Sequence, residues 1–195
     1  MEINDYLLSK DDWMLVIPVF LTWLTFGLKA LRWDPRLPAG TSKHIELEMK
    51  TRVVSFMHGW ISLLFGFYVY FFTKLTFGQP NSWIERLGCI NSMSYFTYDL
   101  FIMWKTSTLD FAMGFHHSVC IYIFYTVLYL GVGANEVISA LYCLEVSNPA
   151  MHGRAILKTY GLRYTQIHEL VEHVFLISYS IARMFFYPPI LIAAC

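Results

Sequence analysis

The strongest constraint on this chain is a succession of apolar stretches, most about as long as a bilayer is thick, parted by short polar loops. Residues 13–31 open the series and number about twenty, enough to cross a hydrocarbon core of roughly 30 Å. Further stretches follow at 53–72, 87–104, 117–130, 137–146 and 170–194. Over the whole chain 56% of residues are hydrophobic and 14% charged, against about 25% charged in an ordinary soluble domain. One soluble core of this size does not hide that much apolar side chain. The expected fold is all-α, a polytopic integral membrane protein with about six transmembrane helices.

The stretches differ in character. The first carries Pro18, which would kink it, and Trp13, Trp23 and Trp33 offer interface anchors. Pro35, Pro38, Gly40 and Ser42 break the loop at 34–50. The third stretch is the least apolar, holding Asn91, Ser92, Ser94, Thr97 and Asp99. Gly131, Gly133 and Ala134 make a tight turn before the fifth. That one is too short to cross alone unless Glu136 and Glu145 lie inside protein. Residues 151–166 are polar and amphipathic, and the last stretch carries Arg183 and is interrupted at Pro188-Pro189. The chain divides into an N-terminal segment, first span and loop (1–50) and a membrane domain (51–195).

Basic residues set the orientation. Ten of them (Lys29, Arg32, Arg36, Lys43, Lys50, Arg52, Lys105, Arg154, Lys158 and Arg163) fall at one end of the alternating spans. Three (Lys10, Lys74 and Arg86) fall at the other, and Arg183 lies within a span. The positive-inside rule turns the first end inward and the N-terminus outward. Zero net charge and no basic tract argue against a nucleic-acid partner. Cys89, Cys120, Cys143 and Cys195 form no CxxC and read as small hydrophobes. The acidic N-terminus lacks the basic region of a signal peptide and the arginines of a transit peptide.

Polar groups inside apolar stretches are the candidates for chemistry, because lipid offers them no solvent. Asp99 reads either as a proton acceptor in a cavity or as a brace between helices. His116 and His117 are adjacent, so on a helix they point about 100° apart and only one faces a given partner. Imidazole titrates near neutrality, which suits proton transfer. Glu145 and Asn148 share a three-residue spacing just before Pro149, which is expected to end their helix. They read either as part of the same cavity or as a polar helix end. Arg183 is expected to pair with an internal acid. His168, Glu169, Glu172 and His173 make two i, i+4 pairs and are weak metal candidates. The order is not HExxH, and Met113 stands where an HxxHH box needs histidine, so no metal is expected. No phosphate loop, nucleophile elbow or haem motif is present.

The pieces RVVSFMHGW, YFTYDLF, GFHHSVCIY, NEVISALYCLEVSNP and ARMFFYP, in this order over about 51–188, resemble the TLC-domain membrane proteins. That family includes ceramide synthases, translocating-chain-associated proteins and small TLC-domain-containing proteins, and the chain looks closest to the last group. The resemblance implies helices around a central cavity and a further span after the proline-bearing one, which this chain is expected to lack. It also implies lipid handling in the endoplasmic reticulum, the mitochondrial inner membrane being the alternative. Membrane lipids are the implied partners, with acyl-CoA as co-substrate if the protein is an N-acyltransferase. His116 and His117 match the ceramide-synthase histidine pair. Glu145 and Asn148 keep the spacing of the distal His-Asp-x-x-Asp motif but change its chemistry. Two functions are therefore expected. In one, the cavity binds an acyl chain or lipid with His116, His117, Asp99, Glu136 and Glu145 at its polar end, and if the protein is an enzyme one histidine takes the proton of an amine or hydroxyl attacking an acyl thioester. In the other, the chain is a non-catalytic accessory subunit held by other membrane-protein subunits.

Overall fold

The computed structural model describes residues 10–74 and 77–188, and they are helical throughout apart from loops and one isolated bridge, Pro80 to Val132. The acidic residues 1–9, the side chain of Trp13, Pro189 and Cys195 lie outside the described residues. Seven α-helices follow in order: α1 (Lys10–Arg32), α2 (Lys43–Phe72), α3 (Trp83–Lys105), α4 (Phe111–Leu130), α5 (Ala134–Glu145), α6 (Asn148–Thr159) and α7 (Gln166–Ile181). A π turn, Ala182–Phe186, continues α7.

Local chemistry sets the boundaries, and several differ from the hydropathy limits. α2 starts at Lys43 because Ser42 caps it, its side chain accepting from Ile45 N at 3.3 Å. The polar first turns are then held by Glu46–Lys50 at 2.5 Å and by a Glu48–Arg52 pair. α4 begins at Phe111 rather than at the histidines, because Asp110 accepts from Met113 N at 2.8 Å. Its end is set by Gly131 in the left-handed region at φ 71°. Pro149 does not terminate the helix of Glu145. α5 has already ended at that residue, and Pro149 sits in the first turn of α6, where its missing N–H costs nothing. Glu145 and Asn148 thus belong to two helices.

Among the described residues, three helices are long and apolar enough to cross a membrane on their own composition: α1 over Met14–Arg32, α2 and α4. α3 is long enough but polar, and its position explains why. It is packed among α1, α2, α4 and α5. Cys89, Ile90, Tyr98 and Ile102 on it are completely enclosed. A helix sheltered by protein can carry asparagine, serine and aspartate that lipid would penalise. α5 and α6, twelve residues each, are too short to span, at about 18 Å.

Close backbone approach fixes the bundle, as expected where lipid supplies no hydrophobic drive between helices. A Cβ on Gly27 of α1 would lie 2.1 Å from the Tyr98 hydroxyl of α3. One on Gly66 of α2 would lie 2.5 Å from Cβ of Tyr142 on α5. Tyr98 and Tyr142 fill the notches these glycines leave.

Candidate functional site

α3 brings one face of buried polar side chains against α2 and α4. His117 Nδ1 of α4 lies 3.6 Å from Asp99 Oδ2 of α3, and both are buried. Tyr95, one turn before Asp99, reaches the same carboxylate with its hydroxyl. Its ring lies flat on the imidazole of His58 from α2, with centroids 3.7 Å apart and planes within 8°. His58 is itself buried, its Nε2 3.0 Å from Ser62 Oγ and 3.4 Å from Ser92 Oγ. Phe96 stands edge-on to His58 and tilted against His117. The result is a chain across three helices, His58 against Tyr95, Tyr95 to Asp99, and Asp99 to His117, walled by aromatic rings.

Such a cluster needs access, and one end has it. A polar cleft of about 400 Å³ descends from the end rich in basic residues between α2, α3, α4 and α6. Arg52, Glu48 and His152 line it, and Asp99 and Ser55 lie in it. Arg52 is tied to Glu48, and Asp110 at the start of α4 also lines the cleft. His152, on amphipathic α6 outside the spans, is held down to about 4 by burial, with the Arg52 guanidinium adding to the effect. It is therefore a neutral imidazole at pH 7. An apolar groove of about 540 Å³ opens sideways between α1 and α4, with Thr97 and Ser118 in its wall.

The remaining sequence candidates fall in different places. His116 is exposed at the edge of the cluster, its ring edge-on to Phe96 with centroids 6.1 Å apart and Cys120 Sγ 3.8 Å from its Nε2. The pair thus splits as its 100° separation requires. Glu145 and Asn148 meet at the α5–α6 junction, close to Gly59 of α2, and their side chains bond to each other. Glu136 lies at the other end of α5, where its carboxylate accepts from Gly78 N at 2.7 Å. It stands apart from the histidines because α5 separates it from Glu145 by roughly 13 Å. Around it lies a second polar knot. Buried Asn135 donates to Glu85 at 2.6 Å and to Thr73 at 2.9 Å, and Asn81 ties the same loop to Val127 and Ala134. These bonds satisfy helix ends and fasten the outward loops.

Arg183 has no acidic partner within ion-pair distance among the described residues. It donates to the Leu144 carbonyl at 3.3 Å and lies over the Tyr179 ring. On α7, His168 is buried and 3.9 Å from Glu172, which also takes Arg154 at 3.0 Å. Glu169 and His173 face outward, and His173 is bonded to the Glu169 carbonyl of its own helix. The four face different neighbours, and no group of three metal-ligating side chains occurs among the described residues.

Sequence reasoning overlooked His58 and His152. His58 is signalled by the criterion that exposed Asp99, an ionisable side chain in an apolar stretch, here RVVSFMHGW. His152 gives no such signal, since it lies in a polar segment and becomes notable only when α6 folds over the cleft.

No solved structure matches this chain. The family model described as TLC domain matches residues 48–195, which takes in every side chain of the cluster. With that match, and with apolar helices long enough to cross a bilayer, the chain belongs to the TLC-domain family of integral membrane proteins and has a membrane-lipid-related function.

Proposed function

We propose that this protein acts on lipid acyl chains, with His117 as the base and Asp99 as the group that orients it. The observation that carries the reading is the buried His117–Asp99 pair, with Asp99 reached by a polar cleft from the basic end. At 3.6 Å the Asp99 carboxylate stands just outside hydrogen-bond reach of His117 Nδ1, which has no other partner among the described residues; closing that gap when substrate binds fixes the tautomer and frees Nε2 to accept a proton. In the acyl-transfer form, the lone pair of an amine or hydroxyl attacks the carbonyl carbon of an acyl thioester. His117 takes the proton lost by the nucleophile. The C–S bond then breaks, and the thiolate leaves with the proton that His117 held. Acyl-CoA is the co-substrate, a sphingolipid or phospholipid precursor the acceptor, and the endoplasmic reticulum membrane the setting. No resident cofactor is needed. Tyr95 and His58 support Asp99 from behind.

The test is a purified-protein assay with a long-chain acyl-CoA and single-chain amine or hydroxyl acceptors, read as thiol release and as new acylated lipid. The proposal requires both signals in wild type and neither in His117→Ala at matched fold. Thiol release that persists in His117→Ala overturns it.

A second reading is favoured by one feature. Asn148 stands where the distal motif has its second acid, so the site keeps an amide in place of a titratable group. In that reading the chain retains the fold as a non-catalytic accessory subunit. Co-migration with a larger membrane complex in mild detergent supports it, and migration alone as monomer or dimer counts against it.

A further inference from the structure

Lys158 is unused by the site above. It stands in the last turn of α6, is exposed, and its ammonium makes no hydrogen bond or ion pair among the described residues. It lines a polar cavity of about 380 Å³ between the start of α2 and α6, and Arg52 lines the same cavity from α2. The acid in the wall, Glu48, is already bonded to Arg52. Two cations against one anion give the cavity a positive wall, and the hydroxyls of Thr41 and Thr159 also border it. Such a wall selects an anion. A guanidinium fork beside an ammonium point charge, with hydroxyl donors, suits the several oxygens of a phosphate.

The cavity adjoins the polar cleft, because Arg52 and Glu48 line both. The cleft itself is the wrong place for a phosphate, since Asp99 and Asp110 are in its wall. Along α2, Ser55 in the cleft and Ile45 in the cavity are ten residues apart, or about 15 Å. A ligand with a thioester at His117 and a phosphate at Lys158 therefore needs a long, uncharged, polar arm between the two. Acyl-CoA has that arm, with amides and no charge between its thioester and its phosphates.

We propose that this cavity binds a phosphate of the nucleotide end of acyl-CoA, through Lys158 and Arg52. The choice of ligand rests on the acyl-transfer reading, and the test separates the two by measuring binding of the carrier without turnover.

The experiment is binding of coenzyme A, without an acyl chain, to purified protein in detergent. It is compared with pantetheine, which has the same thiol arm and no phosphate. Hydrogen bonds to a charged group predict that wild type holds coenzyme A at least about tenfold more tightly. Lys158→Gln should lose most of that preference, and Lys158→Arg should keep it. Ala155→Phe, which fills the cavity from α6 and leaves both cations in place, should bring coenzyme A down to the level of pantetheine. Equal binding of the two compounds by wild type overturns the proposal without any variant. A preference unchanged in Lys158→Gln or in Ala155→Phe overturns it too. So does displacement of coenzyme A by lysophosphatidate at lower concentration than by adenosine 3′,5′-bisphosphate, which would make the ligand a lipid headgroup. Preferential binding of coenzyme A by a protein that releases no thiol from acyl-CoA supports this site and removes the acyl-transfer reading.

Discussion

Replacing Gly66 with alanine should destabilise the bundle, whereas the same change about two turns earlier on α2, at Gly59, should not. At Gly66 the new Cβ would stand 2.5 Å from Tyr142 Cβ and 3.0 Å from its Cα. Carbon atoms rest about 3.5–4.0 Å apart, so α2 and α5 must separate by about 1 Å. The obstacle is backbone and Cβ, which no rotamer change removes. Overpacking of this kind costs about 1–3 kcal/mol, offset by up to about 1 kcal/mol of better helix propensity. The net loss is about 1–2 kcal/mol, or roughly 2–8 °C in melting temperature for a chain of this size. At Gly59 the nearest atoms are the ring carbons of Pro149 at 3.6 Å, an ordinary contact. There the propensity gain stands alone, and the melting temperature should hold or rise. Thermal unfolding of the two variants in one detergent, followed by tryptophan fluorescence and by the monodisperse fraction on gel filtration, makes the comparison. If Gly66→Ala melts at or above Gly59→Ala, the α2–α5 contact does not hold the fold in the way described.

Acidification should weaken the protein through His152, whose pKa is about 4 in the fold against 6.5 unfolded. The unfolded chain takes up the proton first, so stability is full above pH 6.5 and is lost as pH falls toward 4, by up to about 3 kcal/mol. His152→Gln should flatten that part of the pH–stability curve, and an unchanged slope would contradict the assignment. Asn135→Ala strips the donor from buried Glu85 and should cost about 1–3 kcal/mol; a melting temperature equal to wild type would show that the outward knot does not brace the bundle. Arg154→Ala breaks a half-exposed pair with Glu172 and should change stability by no more than about 1 kcal/mol, less at high salt; a larger, salt-independent loss would refute that reading.

The sequence exposed what depends on single side chains and their immediate solvent. Asp99 and the histidine pair stood out because lipid penalises them, and the 100° step between His116 and His117 already implied that one faces inward and one outward. It concealed what depends on which helix shields which. α3 reads as a weak span because its serines and Asp99 dilute the hydropathy, yet it is the most enclosed helix. Arg183 looked like a partner for an internal acid, since no rule of spacing reveals that Glu145 turns to Asn148. Glu136 and Glu145 looked like one group because both belong to the fifth stretch. The eight residues between them lie on α5, which carries the two carboxylates toward opposite ends. The short contacts at Gly27 and Gly66 left no trace beyond the glycines themselves.

The most direct measurement is a whole-lipid mass-spectrometry profile of cells lacking this protein, re-supplied at matched level with wild type, His116→Ala or His117→Ala. Since His117 is buried against Asp99 and His116 is exposed without a carboxylate partner among the described residues, the account predicts that wild type and His116→Ala restore an altered lipid class and His117→Ala does not. Restoration by His117→Ala, at the same level and with the fold intact, would contradict it.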